Sequence, residues 1–131
     1  MVQVGTVLRV SDKTGVVLGQ CIKVLGSTKK KIAKLGDFLL ISVKWINVKR
    51  FKFLKARLRK RYYLGTLHRA LLVRSKKNFC RFPGIFLKFD ENAVVIINKK
   101  VVPLSNRVYG PILKEFCMRW PSLGCVTRCV V

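Results

Sequence analysis

The sequence predicts an all-β fold, a single small barrel. Short runs of β-branched and aromatic residues recur along it, and turn signals built on Gly, Asp and Asn separate them. Half of the chain is hydrophobic (50%), enough for a real core. Many short strands at close spacing favour a barrel or sandwich over βαβ units, and closure removes the exposed edges that invite aggregation. The length, 131 residues, fits one domain.

The elements follow in order. Val2, Val4, Thr6, Leu8 and Val10 alternate on one face, the period of a half-buried strand. Asp12-Lys13-Thr14-Gly15 is a turn, in which Asp bonds forward and Gly takes positive φ. The apolar run from Val16 to Leu25 completes a hairpin, and Gly26-Ser27-Thr28 breaks it. Lys29, Lys30, Lys31 and Lys34 then decorate a loop ending at Gly36-Asp37.

Phe38 to Trp45 reads as the third strand and Leu67 to Val73 as the fourth. Ile85–Phe89 and Ala93–Ile97 read as a further pair, opened by Phe82-Pro83-Gly84 and connected by Asp90-Glu91-Asn92. Gly110-Pro111 followed by Ile112, Leu113, Phe116 and Cys117 has helical spacing with Pro in the first turn. That short helix should pack on the barrel and stop at Pro121, with a looser tail from Ser122 to Val131. The helical C-terminal region is thus residues 110–131.

Residues 44–65, between the third and fourth strands, are the compositional outlier. They carry Lys44, Lys49, Arg50, Lys52, Lys55, Arg57, Arg59, Lys60 and Arg61, interleaved with Trp45, Phe51, Phe53, Tyr62 and Tyr63. This pattern reads as a long basic arm projecting from the barrel. Arginine forks grip phosphates in pairs of hydrogen bonds, lysines act as mobile charges, and aromatics stack on unpaired bases. The same aromatics could equally pack as core or against a protein neighbour.

Charge points to the partner. The chain has 28 Lys+Arg against 5 Asp+Glu, a formal net charge of +23. Such an excess repels itself in a compact state unless a polyanion lies against it. Neutralising about ten phosphates would give a log–log salt slope of roughly −7 to −9. Anionic lipid is the rival polyanion: Leu54, Arg57, Leu58 and Arg61 have the spacing of a basic amphipathic helix, but its apolar face is narrow. No apolar run approaches the ~20 residues of a membrane span. Gly5, Thr6, Arg9 and Asp12 interrupt any signal-peptide pattern, and no presequence composition precedes them, so the fold is expected to begin at Met1.

Catalytic parts are thin. His68 is the only histidine and sits beside Arg69, where nearby cations oppose protonation. Asp90 and Glu91 are adjacent and point apart on an extended chain. No phosphate loop, dinucleotide fingerprint or nucleophile elbow is present. Cys21, Cys80, Cys117, Cys125 and Cys129 form no C-x-x-C pair, and read as small buried thiols in a reducing compartment. No metal or cofactor is expected, and no enzyme.

Ordered strings then carry a resemblance. Gln3, Thr6, Leu8, Val10, Asp12 and Gly15 precede Cys21-Ile22-Lys23-Val24-Leu25-Gly26, Lys29-Lys30-Lys31 and Gly36-Asp37. Ala70-Leu71-Leu72-Val73-Arg74-Ser75-Lys76-Lys77, Gly84, Phe89-Asp90, Asn92-Ala93, Val95, Arg107-Val108-Tyr109-Gly110-Pro111 and Glu115 follow in register. Together they resemble the L-fourteen family of large-ribosomal-subunit proteins over nearly the whole chain.

The resemblance implies a closed five-stranded, OB-like barrel, a projecting β-ribbon and a small helical C-terminal region. It implies contacts with large-subunit rRNA, with small-subunit rRNA at intersubunit bridges, and with the third and nineteenth large-subunit proteins in the usual numbering. It also implies a silencing factor near Asn106, Arg107 and Tyr109, although Leu104-Ser105-Asn106 replaces the usual Ile-Gly-Thr. The arm is longer than the bacterial pattern, and little of the family pattern persists beyond Trp120. Few Ala with much Lys, Phe and Ile suggests an organellar, mitochondrial type, encoded in the organelle, with a bacterial cytoplasmic protein as the alternative.

The expected rRNA contacts are therefore Lys29, Lys30, Lys31, Lys34, Arg74, Lys76, Lys77 and Arg81 together with the cations of the arm. The rival readings are a free-standing OB-like module for single-stranded nucleic acid and a cationic membrane-surface protein. Both keep the charge and discard the ribosome.

Overall fold

The computed structural model describes residues 2–26, 29–49, 62–82 and 84–131. Eleven strands, two short helices and the helical residues Val48 and Lys49 occur among them. The strands are β1 (Val2–Gln3), β2 (Val7–Val10), β3 (Val16–Val24), β4 (Ile32–Ala33), β5 (Phe38–Ile46) and β6 (Leu67–Arg74). They continue as β7 (Phe79–Arg81), β8 (Ile85–Leu87), β9 (Ala93–Ile96), β10 (Val108–Ile112) and β11 (Thr127–Val130). Helices α1 (Lys114–Arg119) and α2 (Pro121–Gly124) lie between the last two.

Strands β2, β3, β5, β6 and β9 close a barrel in that order. Neighbours run antiparallel except at the seam, where β9 lies parallel to β2 with Arg9 opposite Ala93 and Val10 opposite Val94. The five-stranded closed barrel expected from the sequence is present.

Alternation builds two cores. Ala70, Leu72, Val94 and Ile96 point into the barrel beside Leu8, Leu39 and Ile41. Leu71, Val73, Ala93, Val95 and Ile97 point the other way, onto Ile112, Leu113, Phe116 and Leu123 of the C-terminal region. Strands buried on both faces need unbroken apolar runs, which explains Ala-Leu-Leu-Val and Ala-Val-Val-Ile. Phe38, Phe116 and Trp120 close the outer core, Trp120 lying 5.8 and 5.7 Å from the other two ring centres.

Four expectations change. The first strand is two: Gly5 (φ +88°) turns the chain, so Val2–Gln3 pairs with β4 inside the predicted lysine loop while Val7–Val10 enters the barrel. Val4 is consequently exposed. Ile85–Leu87 pairs with Phe79–Arg81, not with Ala93–Ile96, because β9 is already taken on both edges by β2 and β6.

The C-terminal helix starts later than predicted. Gly110 (φ +82°) and Pro111 belong to β10, at a register shift in its parallel pairing with β11, and α1 begins only at Lys114. Pro tolerates an edge or bulge position because no ladder N–H is needed there. Pro121 stops α1 and also opens α2, where its missing N–H costs nothing. The expected loose tail is therefore a helical turn and a strand.

Of the basic arm, its ends are described. Val48 and Lys49 are helical, capped by the Asn47 side chain, whose oxygen accepts the Lys49 N–H at 3.1 Å. The chain returns through Tyr62, fully buried in the barrel core, and a turn at Tyr63–Thr66 that bonds back to Val43. The ribbon expected between these ends falls at 50–61, outside the described residues.

Candidate nucleic-acid interface

The acidic residues explain the outer charge. Asp12 is buried: one carboxylate oxygen accepts the N–H and hydroxyl of Thr14, and the other accepts the Ile96 N–H at 3.0 Å across the barrel end. Burial pushes its carboxyl above the usual range, against the lowering effect of those hydrogen bonds. Asp37 accepts Lys30 Nζ at 2.7 Å and the Lys34 N–H at 2.6 Å. Glu91 takes Arg9 at 2.8 Å and Arg74 at 2.7 Å. Glu115 is gripped by both nitrogens of the Arg81 fork, one at 2.8 Å, and this hydrogen bonding holds its carboxyl below the usual value. Among the described residues, Asp90 makes no ion pair.

Most of the predicted contact residues that the structure describes face outward. Lys29, Lys31, Lys34, Lys44, Lys49, Lys76 and Lys77 are exposed, and Lys30 and Arg81 are half-buried in their ion pairs. Lys34 and Lys77 are brought together because the loop at Gly36–Asp37 bonds to Leu72 of β6 in both directions. Arg50, Lys52, Lys55, Arg57, Arg59, Lys60, Arg61, Phe51 and Phe53 lie outside the described residues.

One predicted contact is corrected, and one alternative left open by the sequence is decided. Arg74 is only 5% exposed. Its guanidinium donates to Tyr109 O (2.9 Å), the Ser11 hydroxyl and Glu91 (2.7 Å), so it joins the barrel, the 90–92 turn and β10. A register shift between Leu72 and Arg74 takes it off the barrel-facing side of Ala70 and Leu72 and sets it opposite Ala93, on the face that β10 covers. Burial lowers its pKa, partly countered by Glu91. Tyr62 is likewise a core residue, 1% exposed with its ring 5.1 Å from His68, and cannot stack on RNA. Trp45 (63% exposed) and Tyr63 (60% exposed) can.

A second cationic cleft escaped the sequence reading. Lys13, Asn106, Arg107, Thr127 and Arg128 line a depression of about 320 Å³ that contains no acid. Its residues come from the Asp12 turn, the segment before β10 and β11, so no local run of charge announces it. Of the sequence-predicted protein contacts, Asn106 and Arg107 are in this cleft. Tyr109 lies beyond it, lining a cleft of about 930 Å³ with Arg9, Lys88 and Glu91.

The cysteine expectation is also corrected. Cys21 is buried, its thiol pKa raised by burial, but Cys80, Cys125 and Cys129 are exposed. Sequence gives a thiol no side of a strand until the pairing is known. Among the described residues no group of three or more His, Cys, Asp or Glu could hold a metal ion, and no helix is long and apolar enough to cross a membrane.

A closed barrel that engages its acids internally and turns lysines and arginines outward is a small cationic β-barrel shaped to sit against a polyanion. The chain belongs to the family described as ribosomal protein L14p/L23e, whose model matches residues 1–131, its full length. It is a structural protein of the large ribosomal subunit, and its family is not one of enzymes.

Proposed function

We propose that this chain binds large-subunit rRNA through two cationic surfaces and helps join the subunits during translation. The carrying observation is the fate of the acids: Asp12, Asp37, Glu91 and Glu115 are buried or paired, so the outer field is positive. Lys29, Lys31, Lys34, Lys76 and Lys77 make the first phosphate-binding surface, with Lys30 and Arg81 partly committed to their acids. The arm, from Lys44 and Lys49 through Arg50, Lys52, Lys55, Arg57, Arg59, Lys60 and Arg61, extends it into folded RNA.

The Lys13–Asn106–Arg107–Arg128 cleft suits small-subunit rRNA at a bridge, or a silencing factor that would block it. The β7–β8 hairpin has a different character. Phe82, Ile85 and Phe86 are exposed there, an apolar surface that fits neighbouring ribosomal proteins, the third and nineteenth in the usual numbering. The residue usage further supports a mitochondrial ribosome over a bacterial one.

Sedimentation tests the reading. The chain should travel with large subunits through moderate salt and leave at high salt, and reversing Arg57, Arg59 and Arg61 to Glu should block incorporation. Binding to single strands without ribosome association would favour a free-standing module. Flotation with anionic liposomes after nuclease treatment, with absence from purified ribosomes, would favour the membrane surface.

A further inference from the structure

Beside the first cationic surface is a crevice of about 280 Å³ lined by Ala33, Lys34, Leu35, Ser75, Lys77, Asn78, Phe79 and Cys80. Its volume is slightly below the roughly 300–1,000 Å³ of drug-sized ligand sites. It has room for one flat ring system and none for a helix or duplex. Leu35 and Phe79 give it apolar walls, half-buried against the outer core. Ser75 and Asn78 offer hydrogen-bonding groups.

The crevice is firmly built. Lys76 N–H donates to Asn92 Oδ1 at 2.9 Å, Lys77 N–H to Ser75 Oγ at 3.2 Å, and Phe89 N–H to Ser75 O at 3.3 Å. On the opposite wall Lys34 N–H is fixed by Asp37. No lining residue is acidic, and Asp37, the acid nearest in sequence, is occupied by Lys30 and the Lys34 amide. An apolar slot flanked by two exposed lysines matches one chemistry well: a planar base with a phosphate on either side.

Resting on the rRNA-binding reading above, we propose that this crevice takes a single unpaired nucleobase of the rRNA, stacked against Phe79, with its flanking phosphates on Lys34 and Lys77. Single-stranded loops and bulges are where RNA offers such bases, and aromatic faces accept them with little regard to sequence. This gives the surface a fixed point on the RNA that lysines alone cannot provide.

Ultraviolet cross-linking of purified large subunits, followed by mass spectrometry of the digested chain, tests this. The expected product is a nucleotide adduct on Phe79 or Cys80. Phe79→Leu, which refills the outer core, should remove it. That variant should also bind protein-depleted subunit core particles roughly five- to hundred-fold more weakly, the loss of one base–aromatic stack, with an unchanged salt slope. Lys34→Ala with Lys77→Ala should instead flatten the slope. Adducts elsewhere on a co-sedimenting chain, with none on residues 33–35 or 75–80, would overturn the base pocket and leave the RNA reading intact. So would a protein cross-linked at Cys80. Absence of any RNA adduct together with loss of co-sedimentation would sink both.

Discussion

Replacing Arg74 by Met separates its structural role from an RNA-binding one. Methionine keeps an unbranched apolar stem in a site that is 5% exposed and deletes the guanidinium. Bonds involving a charged partner contribute about 1.5–3 kcal/mol each, so counting the acceptors at Tyr109, Pro111, Ser11 and Glu91 would suggest a very large loss. Three observations reduce it. The Pro111 contact is long at 3.4 Å; Glu91 is 35% exposed and keeps Arg9; and Arg74 Nε is itself buried without a partner among the described residues, so the wild-type site already carries a penalty. What remains is mainly the guanidinium bonds lost by the Tyr109 carbonyl and the Ser11 hydroxyl, about 2–3 kcal/mol. For a chain of this size that lowers Tm by about 8–12 °C.

Denaturation followed by fluorescence reads this directly, because Trp120 sits in the outer core that Arg74 helps secure. In parallel, the salt dependence of RNA binding should be unchanged by Arg74→Met. Lys76→Ala with Lys77→Ala should do the reverse, keeping Tm and lowering the slope by about 1.4–1.8. A reduced slope with normal Tm for Arg74→Met would refute the clamp.

Three further outcomes follow from the same geometry. Gly110→Ala should destabilise by about 2–4 kcal/mol, since Gly110 has φ +82° and an added Cβ would overlap the guanidinium, 3.1 Å from its Cζ; in the Arg74→Met background the cost should fall towards the backbone term alone, as a double-mutant cycle by denaturant titration will show. Asp12→Ala strips the acceptors of Thr14 and Ile96 and should cost about 2–4 kcal/mol. Because burial raises the Asp12 pKa in the fold, its contribution is present below the unfolded aspartate value and is lost as pH rises through the folded one; Asp12→Asn, itself weaker by one misplaced donor, should lack that pH-dependent loss in urea midpoints. Glu115 runs the other way: held low by Arg81, it stabilises above the ordinary glutamate value of 4.5 and loses this as pH falls through its folded value, so Arg81→Gln should show a smaller acid-side loss, modest because the pair is exposed.

The barrel was legible because its strands are one- or two-face patterns a reader can see. Phe38–Ile46 and Leu67–Arg74 arrive within a residue of their predicted ends, and the Asp12–Gly15 turn forms with its forward bond to Thr14. Pairing was less legible. Ile85–Leu87 and Ala93–Ile96 are both apolar and close in sequence, and nothing local says that the second is claimed on both edges by the barrel seam. Tyr62 and Tyr63 make the same point about sites. Identical neighbours where the chain rejoins the barrel differ completely, one in the core and one in solvent, and nothing in the sequence decides which. Arg74 sits in a cationic string with Lys76 and Lys77, and the string does not say that the first ends a strand covered by β10 while the other two lie beyond it.

The parallel seam between β2 and β9 also governs how the chain must be made. Its first barrel strand has no final neighbour until the last one exists, and the Asp12–Ile96 bond across the same end joins residues 84 apart. Long-range closure of this kind is slow. During synthesis the first lysine loop and the arm emerge while the cylinder is still open, a cationic thread that, on the proposed function, can meet RNA before its own fold is finished. On the proposed rRNA-binding role, docking would then precede the completed fold, and the subunit under construction would serve as the chain's scaffold.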